Sequence, residues 1–153
     1  MTLRPAMTLR GALELSDPKT KKTNTFAQFV TANDATLSQY FGFQLFPGSL
    51  NVRVAEPPSL QQDLDAGQPS PLFVIPRDAL EGMPVYIGDA QAWACNLHSP
   101  KFPASIGCWI FRRIRAGVPR GIIEIVAVEA LVGPYRLQHE DPVTIEVFTQ
   151  SAA

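Results

Sequence analysis

Residues 41–54 read FGFQLFPGSLNVRV. Pro47-Gly48 is a turn signal, and the SLNVRV that follows alternates apolar and polar residues as a half-buried strand does. Side chains of a strand alternate between its faces, so Leu50 and Val52 point to a core while Ser49 and Asn51 project together from the other face. Ser49 carries a hydroxyl oxygen and Asn51 an amide oxygen. Such hard, neutral donors suit Mg²⁺, which keeps several waters and takes the rest of its shell from substrate phosphates. Ser and Asn also satisfy backbone groups in turns, and spacing alone favours that plainer role.

Just before this stretch, residues 34–43 form the best helix pattern in the chain. Asn33 or Asp34 can cap it, Leu37, Tyr40 and Phe41 fall at helical spacing, and Gly42 sits where a glycine ends a helix. Everything else reads as strands and turns. Strands are expected at residues 8–15, 25–30, 72–76, 89–97, 106–114, 122–128 and 143–149. The last alternates cleanly, with Val143, Ile145 and Val147 on one face and Thr144 and Glu146 on the other. Residues 16–24, SDPKTKKTN, make a basic turn, and residues 56–71, with four prolines, read as a solvated loop. MTLR occurs at residues 1–4 and again at 7–10, so residues 1–9 are set aside as a flexible lead. Short strands, frequent turns and one short helix define a mainly β chain closing into a barrel.

The composition agrees. The 153 residues are 46% hydrophobic and 18% charged, as expected of one globular core. Fourteen prolines and ten glycines are scattered along the chain and break up long helices. A net charge of −1 argues against a nucleic-acid partner gripped by a broad basic face. No apolar run reaches the roughly 18–20 residues that a bilayer crossing needs. MTLRPAMTLRG lacks the apolar segment of a signal peptide, so a cytoplasmic protein is expected. Cys95 and Cys108 are too few for a disulfide framework and read as buried thiols.

Phosphate-loop, dinucleotide and nucleophile-elbow signatures are absent. Two further stretches carry chemistry. In CWIFRRIRAGVPRGIIEIVAV, residues 108–128, four arginines (Arg112, Arg113, Arg115, Arg120) precede Glu124, an acid inside an apolar run. An acid so placed either faces solvent paired to an arginine or is held in a pocket by a polar partner. Lys19, Lys21 and Lys22 make an ordinary soluble turn or a screen for a polyphosphate.

Taken together, FGFQLFPGSLNVRV, IGDAQAWACNL, the arginine-rich turn, GIIEIVAVEAL and a terminal strand after EDPV resemble the CTP-dependent riboflavin kinases, over nearly the whole chain. The resemblance implies a six-stranded cradle-loop β-barrel, a single domain over residues 10–150. It implies transfer of the γ-phosphate of CTP to riboflavin, giving FMN and CDP, with Mg²⁺ as cofactor. Ser49 and Asn51 occupy the family's metal-binding Thr and Asn positions. Glu124 and Ala116 fall on its flavin contacts, Ala116 replacing a threonine. Lys19, Lys21 and Lys22 replace its glycine-rich nucleotide loop, and Leu131 and Val132 its nucleotide-side Leu-Arg. Arg115 is a candidate phosphate contact. The implied partners are riboflavin and a nucleoside triphosphate, with no nucleic acid and no membrane, acting on a monomer or homodimer. A barrel of this kind that binds a flavin, nucleotide or other phosphorylated metabolite without turnover, or one that works through a protein partner, fits the same residues.

Overall fold

The computed structural model describes residues 2–15, 25–55, 63–64, 66–81, 86–115 and 121–151. Seven strands form one antiparallel sheet: β1 (Leu3–Leu13), β2 (Ser49–Val54), β3 (Phe73–Ile75), β4 (Tyr86–His98), β5 (Ile106–Arg115), β6 (Ile122–Val126) and β7 (Pro142–Gln150). Six of them pair in a closed circuit, β4–β5–β6–β2–β1–β7 and back to β4, a barrel-like ring. β4 makes closure possible by changing partners along its length. Ala90–Ala92 pair with β3, and Cys95–His98 pair with β7. β3 is thus a seventh strand added outside the six-strand circuit.

β1 begins at Leu3, and its pairing with β7 runs from Leu3 opposite Gln150 to Ala12 opposite Pro142. Residues 3–9, expected from sequence as a lead, therefore belong to the sheet. β1 crosses close to β2 at Gly11, where a side chain would collide with the backbone carbonyl of Arg53.

Period-two patterning sorts the ring residues into two cores. The interior holds Leu9, Leu13, Leu50, Val52, Trp93, Cys95, Leu97, Cys108, Ile110, Ile123, Ile125, Ile145 and Val147 among others. The second core lies on the outer face, where Ala90, Ala92, Phe111 and Val126 meet the helices α1 (Thr25–Ala32) and α2 (Asp34–Phe41). α1 is therefore a helix additional to the one expected. Residues 25–30, expected as a strand, are helical because Phe26, Phe29 and Val30 recur at i, i+3 and i+4, and that stripe packs on the sheet. α2 stops at Phe41, with Gly42 at φ 80° donating its N–H to the Ser38 carbonyl. Asn33 makes no side-chain cap. Its amide bonds the Phe29 carbonyl and both backbone groups of Glu81, tying the helices to the segment after β3.

Residues 56–71 are not all solvated where described. Leu64 is fully buried in the ring core, and Pro69 accepts a 2.7 Å hydrogen bond from Trp93 Nε1. Cys95 and Cys108 are free, buried thiols facing each other across β4 and β5, with sulfurs 3.4 Å apart. No helix among the described residues is long and apolar enough to cross a membrane.

Candidate active site

Leu50 and Val52 enter the ring core, as the alternation in SLNVRV requires, which sends Ser49 and Asn51 outward. β6 is the antiparallel neighbour of β2. Its Ile123 and Ile125 also point inward, and Glu124 lies directly opposite Asn51. The acid within the apolar run is therefore a consequence of strand alternation: its neighbours fill the ring while it stands on the outer face.

Ser49 Oγ lies 3.1 Å from Glu124 Oε2. Arg113 of β5 grips the same carboxylate in a fork, Nε to Oε1 at 3.1 Å and Nη2 to Oε2 at 3.0 Å. The pair is largely shielded, its side chains 11% and 18% exposed. Three aromatic rings hold the guanidinium in place. Its carbon sits 4.6 Å from the Phe29 ring centre, 5.1 Å from Phe26 and 5.9 Å from Phe111. Helix α1 thus positions the arginine, and the arginine positions the acid. Glu124 is paired to an arginine, as the first of its two sequence alternatives has it, but is largely shielded rather than facing solvent, and the arginine is the polar partner that makes that burial tolerable.

The hydrogen-bond logic fixes the serine. An ionised carboxylate only accepts, so Ser49 donates its proton to Glu124 and keeps its lone pairs directed elsewhere. Those lone pairs and the Asn51 amide oxygen are donors of the kind a hard divalent cation takes. The donor set fits Mg²⁺ in combination with phosphate oxygens. No cluster of three or more His, Cys, Asp or Glu side chains suited to a metal occurs among the described residues. An ion at Ser49 and Asn51 would therefore need ligand oxygens to complete its shell.

The other sequence candidates are distributed unevenly. Leu131 is buried in the ring core, whereas Val132 beside it is 40% exposed. Arg115 ends β5 opposite Tyr86. Its side chain, Ala116 and the lysines Lys19, Lys21 and Lys22 lie outside the described residues. Arg113, which joins Glu124 in this cluster, was not singled out from sequence, where it is one arginine among four. Its signal was Phe111, two residues earlier on the same strand face. Cys95 faces the ring interior, and His98, three residues further along β4, stands exposed on the opposite face.

Beside Ser49 lies an apolar shelf. Phe43 is 60% exposed, with its ring centre 6.2 Å from that of Trp109 at a tilt of 40°, and Phe46, whose backbone N–H bonds the Ala127 carbonyl, is also exposed.

A closed six-strand β-ring, with a shielded acid–arginine–serine cluster under a short helix on its outer face, defines a small β-domain built around one polar surface site. The family model of the CTP-dependent riboflavin kinases, described as a domain of unknown function, DUF120, matches residues 23–147. The chain belongs to that family. No curated protein matches it.

Proposed function

We propose that the protein is a CTP-dependent riboflavin kinase that moves the γ-phosphoryl group of CTP to the ribityl 5′-hydroxyl of riboflavin, yielding FMN and CDP. The observation that carries this reading is the 3.1 Å contact of Ser49 with Glu124. It brings a candidate cation ligand and a candidate substrate-orienting acid together on the family's matched segment.

Ser49 and Asn51 would hold Mg²⁺, which when bound offsets charge on the nucleotide phosphates. Ser49 contributes lone pairs because its proton is committed to Glu124. Glu124, fixed by Arg113, orients the ribityl hydroxyls of riboflavin by accepting hydrogen bonds. Such positioning is the main task in phosphoryl transfer, where the protein has little covalent chemistry to perform. Phe43, Phe46 and Trp109 give the flavin an apolar surface. Lys19, Lys21, Lys22 and Arg115 supply positive charge for the phosphates, and the flavin-side position at Ala116 contributes shape without a hydroxyl. Val132 offers an apolar surface on the nucleotide side. Riboflavin and CTP are soluble metabolites, and the setting we infer is the cytoplasm.

The test is product analysis. Incubation with riboflavin, Mg²⁺ and either CTP or ATP is followed by chromatographic separation of flavins, with riboflavin fluorescence recorded in parallel. FMN formed with CTP supports the reading. Fluorescence quenching with no FMN from either nucleotide identifies a binder without turnover and overturns it.

A further inference from the structure

His139 lies outside the cluster just described, yet it closes a chain of contacts that ends next to Asn51. The backbone N–H of Leu15 donates to His139 Nδ1 at 3.1 Å. His139 Nε2 lies 3.1 Å from Glu140 Oε1. Glu140 in turn accepts from Arg53 Nη2 at 3.0 and 2.7 Å. Its own N–H bonds the Leu13 carbonyl, from a backbone held at φ 72°. The His139–Glu140 turn is therefore fastened to the end of β1 and, through Arg53, to β2. Between those anchors, the Glu14 N–H bonds the Asn51 carbonyl at 2.8 Å, continuing the β1–β2 pairing beyond Leu13. The exit of β1 and the Asn51 position share one hydrogen-bonded edge.

This arrangement sets the tautomer of the ring. Nδ1 receives an N–H and must offer its lone pair, so the proton of neutral His139 resides on Nε2 and faces Glu140. Protonation adds a hydrogen at Nδ1, where it meets the Leu15 N–H donor to donor. The contact with Glu140 survives and strengthens, while the contact with Leu15 is lost. Among the described residues, the charged groups around the ring are Glu140 on its own turn, Arg53 on β2 and, beside Arg53, Glu14 at the exit of β1. Beyond them, Asp141 is bound by Lys101 at 2.7 Å.

We propose that His139 is a positioning residue: neutral, it clasps the exit of β1 beside Asn51, and protonated, it lets that exit go. The clasp stands on its own geometry. Its consequence for catalysis, weaker nucleotide binding on acidification, rests on the kinase reading.

The test uses the ¹⁵N-labelled full chain titrated between about pH 8 and pH 5, the range in which histidines change charge. The Leu15 amide resonance should move in step with the His139 ring nitrogens, and its hydrogen exchange, corrected for intrinsic pH dependence, should rise about threefold to tenfold, as loss of one hydrogen bond allows. In His139→Asn the side-chain oxygen replaces Nδ1 as acceptor and cannot be protonated, so Leu15 should stay protected and flat with pH. In His139→Ala its protection should be low throughout. A Leu15 amide indifferent to His139 titration, or the same pH step persisting in His139→Asn, overturns the clasp. In kinetics the apparent KM for CTP should rise at low pH in the wild type and not in His139→Asn, with kcat equal in the two. If no variant makes FMN while the Leu15 amide still follows His139, the clasp holds and the kinase reading fails.

Discussion

The two faces of the ring use the same strands for opposite ends. Inward-facing residues of β2 and β6 are Leu50, Val52, Val54, Ile123 and Ile125, and among the described buried residues of the interior the only titratable groups are the thiols Cys95 and Cys108. Outward-facing residues of the same strands are Ser49, Asn51 and Glu124, joined to Arg113 under the aromatic underside of α1. The interior is closed and supplies stability. The exterior is half covered, so a buried charge pair can be retained next to an open surface. Strand alternation makes this division automatic, and α1 covers the part of the outside where Arg113 meets Glu124.

The largest expected effect breaks the interior. Trp93 is fully buried and bonds the Pro69 carbonyl, so Trp93→Ala should cost about 3–5 kcal/mol in urea denaturation. Outside, Glu124→Ala should cost about 3 kcal/mol, because it removes the forked carboxylate partner of the Arg113 guanidinium in a largely shielded site. Adding Arg113→Met to that variant should recover most of the loss, since an apolar pair needs no partner, while FMN formation stays absent. Interior losses have no such rescue by removing a neighbour, and that contrast sharpens the division. Ser49→Ala should change stability by about 1 kcal/mol or less. It should nevertheless lower FMN formation and weaken Mg²⁺ dependence, measured as initial rate against Mg²⁺ concentration.

The smallest effect is in pH. Hydrogen bonds from Arg53 and Lys101 hold the Glu140 and Asp141 carboxyls below their ordinary values. Their stabilisation is complete above the unfolded carboxylate range and is lost as pH falls through the folded values. The Arg53–Glu140 pair is exposed and the Lys101–Asp141 pair half-buried, so added salt should flatten the Glu140 part of this acid limb more than the Asp141 part. Burial and the neighbouring Cys108 push the Cys95 thiol well up. Its contribution is complete below the unfolded thiol value of about 8.5 and lost as pH rises above it, and salt should leave that alkaline limb largely unchanged. Midpoints of thermal unfolding across pH at two salt concentrations measure both limbs.

Much of the β framework was legible because it rests on local alternation. The strands at 49–54 and 143–149 and the Gly42 helix stop follow from period and from glycine's tolerance of positive φ. α1 was not, because in a six-residue window TFAQFV satisfies alternation nearly as well as the helical spacing, and only the apolar outer face of the sheet decides between them. Ring closure through β4 and β7 was equally hidden. It joins residues about fifty apart, at a strand whose partner changes midway, and nothing local marks the change. At the site, Ser49, Asn51 and Glu124 stood out by type and spacing. Arg113 could not be separated from Arg112 and Arg115 until the β5–β6 pairing and the helix above it set which arginine reaches the acid.

The division of labour between faces is tested most directly by amide shift mapping of the ¹⁵N-labelled chain on addition of riboflavin, CTP and Mg²⁺. The prediction is a contiguous response at Gly48–Asn51, Glu124–Val126 and Arg113, on the outer face beside α1. A response centred instead on the open groove of about 380 Å³ lined by Arg10, His98, Ser99 and Thr144, with Ser49, Asn51 and Glu124 silent, would contradict it.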